Sequence, residues 1–217
     1  MRNVRVFYKK MGRLKFVSHL DMNRYMLRLV KLAGLPIWFT EGFSPRPHIS
    51  FALPLSLGFE SEYEVVDMKI TDDDYSNEQV KDALCNVAVE GLEIIKITEP
   101  KQKPSEITFA GYKLIFDCDE SKLQDFKEFL NRDEIIVSKK NKKGIINSIN
   151  ISPKIKKFSL EQVKNETVMD IVLPAGGNEN LNPILILTAF ENDNKTKLPP
   201  VAMVRTIILN SDMEIFE

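Results

Sequence analysis

The chemically richest part of the sequence is segment 13–21, which reads Arg-Leu-Lys-Phe-Val-Ser-His-Leu-Asp. Ser18 is a helix-capping residue type and Asp21 follows three positions later, a spacing close to that of a capping box, so a helix is predicted to begin at His19. The positive end of the helix dipole favours a neutral imidazole, which can act as a general base or a ligand. The alternative is that His19 makes only a structural hydrogen bond.

A row of cations follows on the predicted helix. Arg24, Arg28 and Lys31 are spaced by four and three residues, which places them on one side of the helix, opposite its apolar face. Together with Arg46 in a later loop, Arg24 and Arg28 predict an anion site. The alternative is an ordinary solvated helix surface.

The second histidine closes the loop 41–48, Glu-Gly-Phe-Ser-Pro-Arg-Pro-His. Two prolines at alternate positions fix their φ angles and stiffen this loop. A stiff loop that presents Arg46 and His48 loses little conformational entropy on binding, although a rigid turn that only connects strands has the same sequence. The predicted site therefore has one candidate catalytic residue, His19, and these candidate binding residues: Arg13, Lys15, Asp21, Arg24, Arg28, Arg46 and His48.

Composition excludes several classes of protein. The 217 residues include 30 basic and 31 acidic side chains, so the net charge of −1 excludes a protein that coats nucleic acid through its total charge, but it permits a local basic patch. Two cysteines are too few for an iron–sulfur cluster, and the sequence contains neither a P-loop nor a dinucleotide fingerprint. We therefore predict no cofactor and no metal site, since a metal needs at least three convergent ligands.

The chain is also predicted to be a cytoplasmic protein that does not enter a membrane. The N-terminal residues 1–10 contain no continuous apolar run of the kind found in secretory signals. No stretch approaches the roughly 18 apolar residues of a membrane-spanning helix.

Hydrophobic periodicity predicts an α+β fold made of two tandem ferredoxin-like (βαββαβ) units, with antiparallel sheets and helices on one face. The first unit is predicted at 1–100, a linker at 101–108 and the second unit at 109–217. In the first unit, strands are predicted at 3–8, 35–39, 49–53, 63–70 and 92–97, with helices opening after Ser18 and Ser76. In the second, strands are predicted at 112–118, 134–138, 145–151, 167–173 and 201–209, with helices at 121–131 and from Pro183. A lysine-rich turn at 139–144 joins two of these strands.

Several motifs resemble one bacterial family. They are Phe-Val-Ser-His-Leu-Asp at 16–21, Gly-Leu-Pro at 34–36, Gly-Phe-Ser-Pro-Arg-Pro-His-Ile-Ser-Phe-Ala at 42–52, Glu-Tyr-Glu at 62–64 and Val-Arg-Thr at 204–206. This pattern resembles the radical SAM-linked protein family, a domain of unknown function found alone or fused after a radical SAM enzyme. The resemblance implies a radical SAM protein as partner, often encoded near RNA and ribosome genes.

Three functions follow as hypotheses. The first is a non-catalytic partner domain that binds RNA for a radical SAM enzyme, with the cations of the site on phosphates and the two histidines lining it. The second is a metal-independent ribonuclease with His19 as general base, which requires His48 and a cation within reach. The third is a protein-interaction module that docks the radical SAM partner and touches no RNA.

Overall fold

A computed structural model describes residues 1–140, 146–177 and 179–217, and within them the chain has a mixed α+β fold with mostly antiparallel strand pairing. This confirms the predicted α+β class. The elements are β1 Arg2–Lys10, α1 His19–Leu32, β2 Ile49–Phe51, β3 Glu60–Ile70, α2 Asn77–Cys85, β4 Leu92–Thr98, β5 Phe109–Phe116, α3 Gln124–Leu130, β6 Ile136–Lys140, β7 Ile146–Asn150, β8 Lys157–Val163, β9 Glu166–Pro174, α4 Pro183–Asn194 and β10 Val201–Leu209.

Two compact units divide the chain. The first comprises Met1–Ile107 together with Val204–Glu217, and the second comprises Thr108–Met203. Residues from Val204 onwards, which the sequence groups with the second unit, therefore pack with the first. Among the helices that the structure describes, none is both long and apolar enough to cross a membrane.

The first unit contains a sheet in which β1 lies at the centre. β1 pairs antiparallel with β3 on one side and with β4 on the other, and β2 pairs antiparallel with β3. The resulting order β4-β1-β3-β2 is that of a split βαβ arrangement. The first residues of β10 within this unit, Val204 and Arg205, pair parallel with Glu60 and Ser61.

The two faces of this sheet differ because successive side chains of a strand point in opposite directions. On one face, which we call the helix face, residues such as Val4, Val6, Val66 and Met68 form the core with α1 and α2. The other face, which we call the Arg5 face, is defined by residues Arg5, Phe7, Val65, Asp67 and Lys69, which alternate with those of the core along β1 and β3.

The C-terminal segment contributes to the Arg5 face. The ring of Phe216 is fully buried with the Arg5 guanidinium 4.4 Å from its centroid, and its carbonyl accepts a 2.9 Å hydrogen bond from the Tyr63 hydroxyl. Arg5 in turn donates two 2.7 Å hydrogen bonds to the carboxylate of Asp67. A cation in the middle of an apolar strand is therefore accommodated by a carboxylate and an aromatic ring.

The predicted strand at 35–39 does not form as a strand. Ile37 makes an isolated bridge with Ile70, and Phe39 makes another with Pro47. Pro36 accepts a 2.7 Å hydrogen bond from the N–H of Thr71 but has no N–H to return, so the pairing with β3 does not continue through Pro36. The segment is held at the sheet edge by single bridges.

The second unit has a three-stranded antiparallel sheet in the order β5-β9-β8 and a separate hairpin, β6–β7. Strand β8 was not predicted, because its sequence Lys-Phe-Ser-Leu-Glu-Gln-Val has only short apolar alternation and lies between charged loops. The predicted pairing of 134–138 with 145–151 is confirmed as the β6–β7 hairpin. Residues 141–144 of the predicted lysine-rich turn lie outside the described residues.

Candidate functional site

The N-terminus of α1 is capped as its sequence predicts. The hydroxyl of Ser18 accepts a 3.2 Å hydrogen bond from the backbone N–H of Asp21 and donates a 2.8 Å bond to its carboxylate. The same carboxylate accepts a 2.9 Å bond from the guanidinium of Arg24. Two of the predicted binding residues, Asp21 and Arg24, are thus bound to each other at the helix surface, and their charges largely compensate.

These contacts hold the pKa of Asp21 below its ordinary value, first through the hydrogen bond from Ser18 and then through that from Arg24. A carboxyl whose pKa is lowered on folding stabilises the folded state above its unfolded pKa, and this contribution is lost as the pH falls through the folded value. We therefore expect the start of α1 to fray in acid. In an NMR pH titration, Ser18→Ala should raise the pKa of Asp21 more than Arg24→Ala does; an unchanged pKa in both variants would contradict these contacts.

His19 lies directly after the cap and points to the helix face of the sheet. Its ring is half-buried and packs edge-on against Phe51, with 5.1 Å between ring centroids. Phe51 pairs with Val66 across β2 and β3 and packs against the core. The imidazole therefore forms part of the packing between α1 and β2.

Arg13 and Lys15 lie in a short 3-10 turn, Gly12–Phe16, that precedes the helix. Lys15 makes a 3.5 Å ion pair with Glu60, and its ammonium lies 5.5 Å from the Phe16 ring centroid. Arg13 is exposed, and its guanidinium contacts no partner within the described part of the chain. Of the two, only Arg13 is free to meet a ligand without breaking an existing interaction.

The loop that carries Arg46 and His48 closes as a small hairpin, which we call the edge hairpin (residues 38–48). The N–H of Thr40 donates to the carbonyl of Arg46, and the N–H of His48 donates to the carbonyl of Trp38, both at 2.9 Å. Between these two pairs lies the Phe39–Pro47 bridge. Extended alternation then places Trp38, Arg46 and His48 on one side of the hairpin, and Phe39 and Pro47 on the other.

The side of the edge hairpin that carries His48 continues the Arg5 face. The His48 and Trp38 rings lie 5.4 Å apart at 60°, and the Lys69 ammonium lies 4.8 Å from the centroid of the Trp38 ring. Lys69 belongs to the Arg5 face, opposite the face against which His19 packs. The structure therefore does not bring His19 and His48 together.

The opposite side of the edge hairpin meets the end of α1. The Lys31 ammonium lies 5.7 Å from the ring of Phe39. Arg28 is exposed one helical turn earlier and, within the described residues, has no side-chain partner. Cations consequently lie on both sides of the edge hairpin. Lys31 lies near Phe39, with the predicted Arg28 one helical turn before it on α1, and the predicted Arg46 lies with Lys69 on the Arg5 face. At the tip, Phe43 is fully exposed.

A buried polar cluster in the first unit was missed in the sequence. Arg205 is 1 % exposed and donates to the Glu64 carboxylate at 2.5 and 2.9 Å, to the Leu53 carbonyl at 2.9 Å and to the Pro54 carbonyl at 3.1 Å. Both ionic residues lie within motifs that carry the family resemblance. Their place in these motifs could have marked both residues as candidates, but the sequence does not reveal that Glu64 and Arg205 are in contact.

Lys10 makes a second buried connection on the helix face. Its ammonium donates a 3.0 Å hydrogen bond to the carbonyl of Val17, the residue before the α1 cap. Burial lowers the pKa of Lys10, and burial together with the nearby Glu64 carboxylate raises that of Tyr8. Lys10 thus binds the backbone of the motif at 16–21, through Val17. Arg205 binds the backbone directly after the motif at 42–52, through Leu53 and Pro54.

A family model described as "Uncharacterized protein conserved in bacteria (DUF2344)" matches residues 3–183. The chain belongs to this family. The matched region includes the α1 cap, the edge hairpin and Glu64, but it ends before Arg205. A search of curated proteins finds no match.

Three solved structures share low similarity with the chain. A Cbf5-Nop10-Gar1 complex aligns at 9% identity with a TM-score of 0.48, over 94% of this chain and 48% of that one. A putative glycine cleavage system transcriptional repressor aligns at 12% identity with a TM-score of 0.28, over 94% of this chain and 98% of that one. The acetolactate synthase small subunit from Thermotoga maritima aligns at 13% identity with a TM-score of 0.25, over 97% of this chain and 98% of that one. The chain spans about half the length of the first. At these scores none of the three supports a functional argument.

Proposed function

We propose that this protein is a non-catalytic partner domain that binds RNA, or an RNA-containing substrate, for a radical SAM enzyme. The RNA part rests on one observation, the edge hairpin with cations on both of its sides and an exposed aromatic ring at its tip. The partnership rests on the motif resemblance to radical SAM-linked proteins.

The charge around the edge hairpin favours a polyanion. Glu41 is the one acidic residue of segment 38–48. Lys31 lies near Phe39 on one side of the hairpin, with Arg28 one helical turn before it on α1, and Arg46 and Lys69 lie on the other side. Because these cations are spread over two sides, a single small anion cannot contact all of them. A phosphodiester chain that passes around the hairpin can, and each phosphate contact releases a condensed counterion.

The same geometry disfavours the ribonuclease alternative. That mechanism needs a second proton-transfer group and a cation within hydrogen-bond reach of His19. His19 instead packs on Phe51 at the helix face, and His48 lies with Trp38 on the other side of the sheet edge. A binding role requires no such convergence.

We also propose that the two units are copies of one ferredoxin-like unit. In the first, strands β1, β3 and β2 lie in the order 1-3-2, and in the second, β5, β9 and β8 repeat this order with the same antiparallel directions. Helices α1 and α3 each follow the first strand of their unit. On this reading the β6–β7 hairpin is an insertion before β8.

RNA binding can be tested by fluorescence anisotropy of labelled tRNA and rRNA fragments across a range of salt concentrations. We expect the affinity to fall as salt rises, and the steepness of the log–log plot to decrease by about 0.7 for each single-strand phosphate that a variant no longer neutralises. Arg28→Ala and Arg46→Ala should each weaken binding and reduce this slope. Lys103→Ala, which removes an exposed cation outside the site, should leave the affinity and the salt dependence unchanged. Absence of binding at low salt would overturn the proposal.

The proposed partnership has its own test, co-purification of the full chain with a radical SAM protein from the same genome. Retention of both the enzyme and RNA supports the proposal. Retention of the enzyme by a chain that binds no RNA would replace it with the protein-interaction module.

A further inference from the structure

We propose that Trp38 and His48, flanked by Lys69 and Arg46, form a stacking platform for the bases of single-stranded RNA. This inference rests on the proposed function and deepens it, because it assigns the bases to the Arg5 face of the sheet. We call these four residues the platform. The cations near α1 would then contact only phosphates.

The platform is held in place before any ligand arrives. Trp38 donates its backbone N–H to the carbonyl of Lys69 at 2.8 Å, and its carbonyl accepts from the N–H of His48 at 2.9 Å. Its ring contacts the Lys69 ammonium and the His48 imidazole, at 4.8 and 5.4 Å from its centroid. A pre-ordered aromatic pair loses little side-chain entropy when a base stacks on it.

The exposed part of the platform has the composition that single strands require. His48 is exposed and Trp38 is half-buried, so the imidazole is the more accessible ring of the pair. Proteins that bind single strands combine aromatic rings for the bases with cations for the backbone. Phe43 at the hairpin tip, fully exposed, offers a further ring to a neighbouring base.

The acidic groups near the platform do not oppose this assignment. Asp67 shares the Arg5 face, but both of its carboxylate oxygens accept hydrogen bonds from Arg5 at 2.7 Å, so its charge is compensated. Ser50, which pairs with Asp67 across β2 and β3, is exposed on the same face and adds a hydroxyl. Within the edge hairpin itself, the acidic residue is Glu41.

A single strand is the form of RNA that fits. Stacking on a side chain requires bases that are splayed out of a duplex, and the major groove of an RNA duplex is too deep and narrow for side chains to read. The rings belong to a short hairpin at the sheet edge, where an extended strand can reach them.

The protein contains one tryptophan, so its emission reports on the platform directly. We would titrate the full chain with an unstructured, fluorescein-labelled single-stranded RNA and follow tryptophan emission, with anisotropy of the label as an independent measure of binding. The expected result is saturable quenching of Trp38 with the same midpoint as the anisotropy change. Inorganic polyphosphate should compete for binding without quenching Trp38.

His48→Ala should weaken binding about tenfold, the order of effect for the loss of one base–aromatic stack. Phe16→Ala is the matched control, since Phe16 is an exposed aromatic beside a cation that lies away from the platform. If Trp38→Ala fails to fold, Trp38→Phe keeps an aromatic ring at this position and should retain most of the affinity. Circular dichroism of each variant verifies folding.

The outcomes separate this inference from the proposed function. One outcome is that RNA changes the anisotropy of the label without changing Trp38 emission, and that His48→Ala binds with the affinity of the unmodified protein. In that case base stacking on the platform is wrong and RNA binding stands. If the anisotropy does not change at low salt, both are wrong. Quenching with polyphosphate alone would also overturn base stacking at this site.

Discussion

Replacing Arg205 with Met should lower the free energy of unfolding by about 3–5 kcal/mol, the usual cost of removing one partner of a buried ion pair. The Glu64 carboxylate would remain buried, at 2–3 % exposure, without its cation, and the carbonyls of Leu53 and Pro54 would lose their donor. Met keeps most of the side-chain volume, so the loss measures the polar contacts. Urea denaturation followed by circular dichroism gives the value.

The matched control is Arg132→Met. Arg132 pairs with Asp193, and both side chains are about half exposed, so this pair should contribute at most about 1 kcal/mol. Comparable losses in the two variants would show that burial does not strengthen the Arg205–Glu64 pair.

Removal of both charges is expected to cost less than removal of one. In Arg205→Met with Glu64→Leu, no ion remains buried, so part of the stability lost in the single variant should return. The Leu53 and Pro54 carbonyls still lack their donor, so recovery should be incomplete. A double variant less stable than Arg205→Met would contradict this explanation.

Gly91→Ala is the second substitution with a large expected effect. Gly91 has φ +90°, and a Cβ there would lie 2.5 Å from the backbone carbonyl oxygen of Met11. Met11 also donates its N–H to the carbonyl of Gly91 at 2.8 Å, so the two strand ends cannot separate without losing that bond. We expect a loss of about 3 kcal/mol, from backbone strain together with the clash.

Gly58→Ala separates these two causes. Gly58 has φ +87°, nearly the same as Gly91, but a Cβ there would meet no atom within 4 Å. Its loss should be about 1–2 kcal/mol, the cost of a left-handed conformation alone. Thermal or urea unfolding of the two variants gives the difference, and equal losses would exclude a role for the Met11 carbonyl.

Local patterns were sufficient to predict most of the first unit. The capping signal at Ser18 and the apolar spacing from Met22 to Leu29 predict α1 because both depend on residues within one or two helical turns. The cap at Ser76 predicts α2 for the same reason, and its capping box with Gln79 is present. The predicted strand at 35–39 failed because strand pairing depends on a partner elsewhere in the chain.

The candidate site was only partly accessible from sequence. The two prolines predicted a stiff loop that presents Arg46 and His48, and the structure shows that this loop closes as a hairpin. The ion pair between Glu64 and Arg205 was not predictable, since its partners lie 141 residues apart in the chain. The contacts of Trp38 with His48 and Lys69 were not predictable either, because these residues meet only in the folded chain.

The sequence by itself determined the α+β class and the start of α1, because these follow from contacts between residues close in the chain. Only the tertiary structure decided which side chains share a face. His19 follows a helix cap that packs on the core, whereas His48 lies one position before Ile49, whose side chain points to that core. Since alternate residues of an extended strand face opposite sides, that single position separates His48 from His19 and places it beside Trp38.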